Sequence, residues 1–238
     1  MKKTLLAVVI TVLTVFMLAG CGGEPTTAQP AATTEEQPTV KVAFQELQKY
    51  TSVTDSLECD YLAEIKNTSN SPVKISNVSI ELNDVNGELI GVTEYVGMLP
   101  EVINPGKSAY IMENVYSSTL GDSIAVDNIG EATLRYDISE AEEQIALSVE
   151  LSETKMQINS YDLPEMIGRV TNIGDTNLED VYVVGIIKNA DGVLQNMLFT
   201  IINNLPAGQD ESFSQMAIYG DPDTDYAAST IDFITFVQ

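Results

Sequence analysis

The chain has 238 residues, of which 35 are Asp or Glu and 11 are Lys or Arg, for a formal charge of −24, and it holds no histidine and no tryptophan. So acidic a balance excludes nucleic-acid binding, which depends on Lys and Arg neutralising phosphates. The missing histidine excludes Ser-His-Asp and Cys-His catalysis and His-ligated zinc or iron, leaving carboxylate pairs, Ser-Lys arrangements and oxygen-ligated cations.

Met1-Lys2-Lys3 opens the chain with positive charge, and an apolar run from Leu5 to Met17 follows. The run is too short for a stable membrane span and has the length of a signal-peptide core. It ends in Leu18-Ala19-Gly20-Cys21, which resembles the lipobox of bacterial lipoproteins. The resemblance implies a diacylglyceryl group on the Cys21 thiol and cleavage before it. Residues 1–20 are thus expected to be a lipoprotein signal peptide, Cys21 the lipid attachment site, and the membrane a partner through that lipid. The remaining 218 residues would carry 35 acids against 9 bases, a formal charge of −26.

Gly22 to Thr39 reads GGEPTTAQPAATTEEQPT, with three prolines, five threonines and nothing able to build a core. Residues 21–39 are therefore expected to be a disordered stalk, spanning ~23 Å as a coil and ~60 Å when extended.

Beyond the stalk the chain repeats itself. Tyr61 to Asn67 lines up with Met166 to Asn172 at an offset of 105, and the same offset carries Val78 onto Val183, Leu82 onto Ile187, Gly87 onto Gly192 and Leu89 onto Leu194. Ile103-Asn104-Pro105-Gly106 answers Asn204-Leu205-Pro206-Ala207-Gly208 after a short gap. A period near 100 has the size of a small β-sandwich. Within each copy the apolar period is two: Cys59, Tyr61, Ala63 and Ile65 share one face, with Glu58, Asp60, Glu64 and Lys66 on the other. In the second copy Tyr182, Val184 and Ile186 make the opposite face apolar as well, so that strand is expected to be covered on both sides by a neighbouring layer.

Asn83 to Gly87 and Asn189 to Gly192 carry hairpin-turn residues, and Pro105-Gly106 and Pro206-Ala207-Gly208 mark a second turn in each copy. The last strands fall at 131–138 and 230–237, each an exposed edge, and Ser139 to Gln144 (SEAEEQ) is expected to form a helical linker. The expected fold is all-β, with two tandem immunoglobulin-like antiparallel β-sandwiches at 40–138 and 142–238.

The strand-turn pattern, followed by alternating apolar positions and an L-x-D-x-x-G turn, resembles the FxLYD domain of bacterial and archaeal surface proteins. Ile80 to Asp84 and Gly185 to Asn189 would be the eponymous stretches. Ile80 and Gly185 stand where that pattern has Phe, Asn83 and Lys188 where it has Tyr, and Asn189 where it has Asp. The resemblance covers most of both copies and implies an immunoglobulin-like sandwich in an extracytoplasmic lipoprotein, with no activity attached.

Asp221-Pro222-Asp223-Thr224-Asp225 places three carboxylates at alternate positions, which suits a hard cation, and Asp232 is twelfth in such a loop. Tyr226 stands where a calcium hairpin needs Gly, so a solvated loop competes with a calcium site at Asp221, Asp223 and Asp225. Cys59, on an apolar strand face, reads as a small buried hydrophobe. Glu140, Glu142 and Glu143 read as a solvated linker, and Tyr95, Tyr110, Tyr116, Tyr161, Tyr182 and Tyr219 are the aromatic side chains available for a binding surface. No residue is singled out as catalytic.

The expected function is that of a non-catalytic binding or structural module held at the cell surface by lipid, with an unknown envelope protein as partner. The alternative is a cation- or small-ligand-binding lipoprotein. The Thr/Pro/Ala stalk, and Gly22 where inner-membrane retention would want Asp, favour display on a Gram-positive surface over a Gram-negative outer membrane.

Overall fold

Each copy of the repeat folds as two antiparallel sheets closed over a shared core. These are seen in a computed structural model that describes residues 38–52, 55–115, 126–144 and 146–237. The expected signal peptide at 1–20, Cys21 and all but the last two residues of the expected stalk lie outside the described residues.

In the first copy β1 (Val40–Thr51), β2 (Leu57–Asn67), β7 (Ser108–Asn114) and β5 (Met98–Leu99) make one sheet. The other is built on β3 (Val73–Asp84), flanked on one side by β4 (Leu89–Glu94) and β6 (Val102–Ile103) and on the other by β8 (Ile129–Glu140). In the second copy β9 (Val149–Ile158), β10 (Pro164–Asn172) and β13 (Asp210–Met216) form one sheet. Strands β11 (Val181–Lys188), β12 (Leu194–Ile202) and β14 (Thr230–Phe236) form the other. The order β1-β2-β7 is matched by β9-β10-β13, and β4-β3-β8 by β12-β11-β14. A 3-10 turn precedes the last strand of each copy, at Val126–Asn128 and Tyr226–Ala228. The fold is all-β and sandwich-like, and the internal repeat is one of topology as well as sequence.

Local chemistry explains why the repeat survives so much sequence change. Asp84 Oδ1 accepts from the backbone N–H groups of Asn86 and Glu88, and Asn189 Oδ1 from those of Asp191 and Val193, with Gly87 and Gly192 at φ +85° and +77°. Each is an Asx-type turn ending in a left-handed glycine. At the other end of each sandwich a buried asparagine ties two loops together. Asn67 Nδ2 donates to the carbonyls of Ser71 and Ile103 at 2.9 and 2.7 Å, and Asn172 Nδ2 to those of Thr176 and Leu205 at 2.8 and 2.9 Å.

Cys59, Tyr61, Ala63 and Ile65 point into the core of the first copy, with Ile111 beside Ala63 on the same sheet and Ile75, Ile80 and Leu82 of the other sheet packed in the same cluster. Met166, Val170, Val181, Val183, Ile187 and Phe213 fill the second. A third apolar cluster joins the two. Leu62, Leu99, Tyr110 and Met112 on the outer face of the β1-β2-β7-β5 sheet pack against Tyr182, Val184, Ile186, Met197 and Phe236 on the outer face of the β12-β11-β14 sheet. Strand β11 is thus buried on both faces, as its two apolar faces predict. Leu62, Val184 and Ile186 are essentially inaccessible, and each such side chain contributes about 1.5–3 kcal/mol of burial.

The helical expectation for 139–144 is corrected. Ser139 and Glu140 pair with Lys74 and Val73 as the end of β8, and residues 141–144 form no helix. Gln144 and Asn104 instead exchange two hydrogen bonds, at 2.9 and 3.0 Å, which hold the connection against the first copy. A six-residue helix makes too few bonds to compete with an open ladder edge beside it.

Candidate functional site

The sheet β1-β2-β7-β5 ends abruptly, because β5 has two residues, pairing only Met98 with Ile111 and Leu99 with Tyr110. The outer face of β12 runs on past that edge. Cross-strand pairing sets Ile186 beside Met197, Val184 beside Phe199 and Tyr182 beside Ile201. Met197 is buried under the first copy, while Phe199 and Ile201 lie beyond it at 45% and 36% exposure. They floor a groove of about 880 Å3 between the two copies, walled by Val78, Val96, Met98, Leu99 and Met112.

Two residues at its mouth hold the left-handed backbone region without being glycine. Tyr95, at φ 60°, ends the β4 hairpin and is 95% exposed; Asn77, at φ 51°, sits in the bulge that shifts the β3–β8 register between Ser76 and Ser79. Such conformations cost of order 1–3 kcal/mol each and gather at functional surfaces. Asn77 Nδ2 donates to Asp137 at 2.7 Å, which holds the bulge.

The charged lining is acidic: Glu94, Glu101 and Glu113 against Lys74. Lys74 is paired with Glu101 at 3.2 Å. Glu113 is half-buried, burial raises its carboxyl, and no cation among the described residues pairs with it. The groove therefore offers apolar area, two exposed rings and carboxylates. Its lining holds neither histidine nor cysteine.

Below the groove a buried polar network crosses the junction. The Tyr50 hydroxyl donates to Asp60 Oδ2 at 2.7 Å, Asn114 Nδ2 donates to Asp60 Oδ1 at 2.9 Å, and the Gly220 N–H of the second copy donates to the Tyr50 hydroxyl at 3.1 Å. Burial pushes the Asp60 carboxyl up to about 6, against the opposing pull of the bonds from Tyr50 and Asn114. Gly220 has φ +133°, and a Cβ there would stand 2.6 Å from Asn196 Nδ2 and 2.7 Å from the Tyr226 hydroxyl. Only glycine lets the chain come this close.

The expected cation ligands do not converge. Asp221 Oδ1 accepts from the Asp223 N–H at 2.9 Å, and Asp225 caps the 3-10 turn, accepting from Ala228 N–H at 3.3 Å. Asp232 pairs with Ile186 in the β11–β14 ladder. Among the described residues no group of three or more Asp, Glu, Cys or His is placed to hold a metal ion.

Cys59 is fully buried and its thiol is pushed up to about 12 by burial, with Asp60 adding to the shift against Lys49. Of the tyrosines, Tyr95 and Tyr182 line the groove, Tyr110 packs in the inter-copy cluster, Tyr161 and Tyr219 are exposed elsewhere, and Tyr116 lies outside the described residues. Phe199, Ile201 and Glu113 were not among the sequence candidates. The signal that reaches Phe199 and Ile201 is the apolar outer face of the second copy, which continues along β12, while Glu113, on β7 of the first copy, has no such signal.

No protein-family profile matches the chain, and no curated protein matches it.

Proposed function

We propose that the protein is a lipid-anchored surface lipoprotein whose two FxLYD-like copies act as a non-catalytic module, binding another envelope protein in the groove between them. The observation that carries this reading is the uncovered overhang of β12. Phe199 and Ile201 lie together at the groove floor beside the exposed Tyr95 ring. Clustered apolar and aromatic side chains under a polar rim are the composition of protein-binding surfaces. The lipobox ending in Cys21 and the Thr/Pro stalk support attachment outside the cytoplasm, with a Gram-positive surface preferred over a Gram-negative outer membrane. A second reading, a small apolar ligand, is favoured by the groove volume of about 880 Å3, within the range of ligand pockets.

Chemical cross-linking on intact cells, followed by purification through a C-terminal tag and mass spectrometry, tests the first reading. One envelope protein recovered in near-equal amount supports it. Recovery of the lipoprotein alone removes it and leaves the small ligand.

A further inference from the structure

Two half-buried carboxylates of the first copy, on neighbouring strands of one sheet, stand in different surroundings. Burial raises the carboxyl of Glu64 on β2, but the bonds from Lys188 and Ser108 outweigh it. Glu113 on β7 pairs with Tyr61 across the ladder, so both side chains project to the same face, and Tyr61 belongs to the core. Glu113 lines the groove together with Val78 and Val96, which belong to that same core. Burial alone acts on its carboxyl, and pushes it up.

The sequence shows where a cation for Glu113 can come from. Of the 11 Lys and Arg, Lys2 and Lys3 lie in the expected signal peptide, which leaves nine. All nine are among the described residues, and the undescribed stretches after Cys21 hold none. Four of the nine pair with Glu64, Glu81, Glu101 and Asp210. The other five, Lys41, Lys49, Lys66, Lys107 and Lys155, do not line the groove. Wherever the undescribed residues of the expected mature chain lie, they bring no positive charge to Glu113. A cation that answers it comes from another molecule.

The groove suits one basic side chain in particular. Lysine and arginine lay their stems along apolar surface while the head reaches a charge. The guanidinium, planar and weakly hydrated, also stacks on aromatic faces. Val96, Met98 and Met112 supply the apolar wall here, and Tyr95 and Phe199 the rings. We infer that the partner seats an arginine side chain at Glu113, with a large apolar side chain beside it on Phe199 and Ile201. This rests on the reading of the groove as a protein-binding site and names the two side chains that the partner brings. Arginine and aromatic residues are the usual anchors of such interfaces.

The test uses the full mature chain in lipid nanodiscs and fluorescence anisotropy of two labelled peptides. One is Gly-Phe-Arg-Leu-Gly; the other carries citrulline for Arg, a neutral urea of nearly the same shape. The Arg peptide is expected to bind about tenfold or more tightly than the citrulline peptide. Glu113→Gln weakens the Arg peptide to a similar degree and leaves the citrulline peptide within about twofold, so the loss belongs to the charge pair and not to the fold. Asp175→Asn, which removes the same charge from an exposed turn outside the groove, changes either by less than about twofold. Equal binding of the two peptides, or equal effects of Glu113→Gln and Asp175→Asn, overturns the inference; the peptide comparison on the unaltered chain stands even where a variant fails to fold. A cross-linked envelope partner together with no preference for the Arg peptide overturns the inference and leaves the proposed function intact. No cross-linked partner together with no binding of either peptide overturns both.

Discussion

Lys188 of β11 donates to Glu64 of β2 at 2.8 Å, so an ion pair formed by residues 124 positions apart spans the junction of the two copies. Ser108 donates to the other Glu64 oxygen at 2.7 Å, and Lys188 lies 5.3 Å from the centre of the Tyr110 ring. Burial raises the Glu64 carboxyl, but the bonds from Lys188 and Ser108 outweigh it and hold the group below its ordinary range.

Breaking this pair costs more than breaking a surface pair, because both side chains are less than a fifth exposed. Lys188→Ala is expected to destabilise the chain by about 2–4 kcal/mol, mostly from the buried carboxylate left behind. Arg135→Ala, which removes a 61%-exposed partner of Glu81, is expected to cost much less, because solvent screens the exposed pair. Urea denaturation of both variants checks the difference.

Asp60 sets a pH dependence of the opposite sign. Burial holds its carboxyl at about 6 in the folded chain, against ~3.9 when unfolded. The folded state therefore binds this proton more tightly, and the group stabilises most below about pH 4. That contribution falls as pH rises through about 4 to 6 and is level above, a loss on the order of 3 kcal/mol. The stability of the unaltered chain relative to Asp60→Asn is expected to fall across that window in denaturant titrations. A constant difference from pH 4 to 7 would contradict the assignment.

The two loop-binding asparagines offer a test of the repeat as an energetic unit. Asn67 and Asn172 are each buried and each bond two carbonyls of neighbouring loops, while the carboxamide oxygen accepts from Ser69 N–H in one copy and Gly174 N–H in the other. Asn67→Ala and Asn172→Ala are each expected to cost about 2–4 kcal/mol, since either leaves buried carbonyls unbonded. Thermal melts of the two variants check that the losses are of like size.

Much of this architecture was legible in the sequence, for a physical reason. The 105-residue offset survives at the positions that sheets cannot vary freely: Asn67 with Asn172, Gly87 with Gly192, and the alternating core residues. The two apolar faces of β11 likewise announced a covering layer. Strands β1 and β9 were passed over: Val40, Val42 and Phe44 alternate with Lys41 and Gln45, and Val149 and Leu151 with Glu150 and Ser152, but each strand sits at a sheet edge with at most one fully buried side chain. Asp60 and Glu64 read as a polar strand face, yet that face is the one the second copy covers, so both are buried or nearly so. The groove was the least legible feature. It arises where β5 stops after two residues while β12 continues, a mismatch between strands almost 100 residues apart that no local pattern records.

The Asp221, Asp223 and Asp225 loop answers to a simple titration. With Asp221 and Asp225 occupied in their own turn, millimolar calcium is expected to leave the melting temperature unchanged. A rise with calcium would show that the loop closes on the ion.

The groove between the copies is the centre of the account, and a photo-reactive amino acid placed at position 199 in living cells tests it most directly. Position 89, also apolar and more exposed but outside the groove, serves as the control. One discrete protein adduct is expected from 199 and none from 89. No adduct from 199, or the same adducts from both positions, would contradict it.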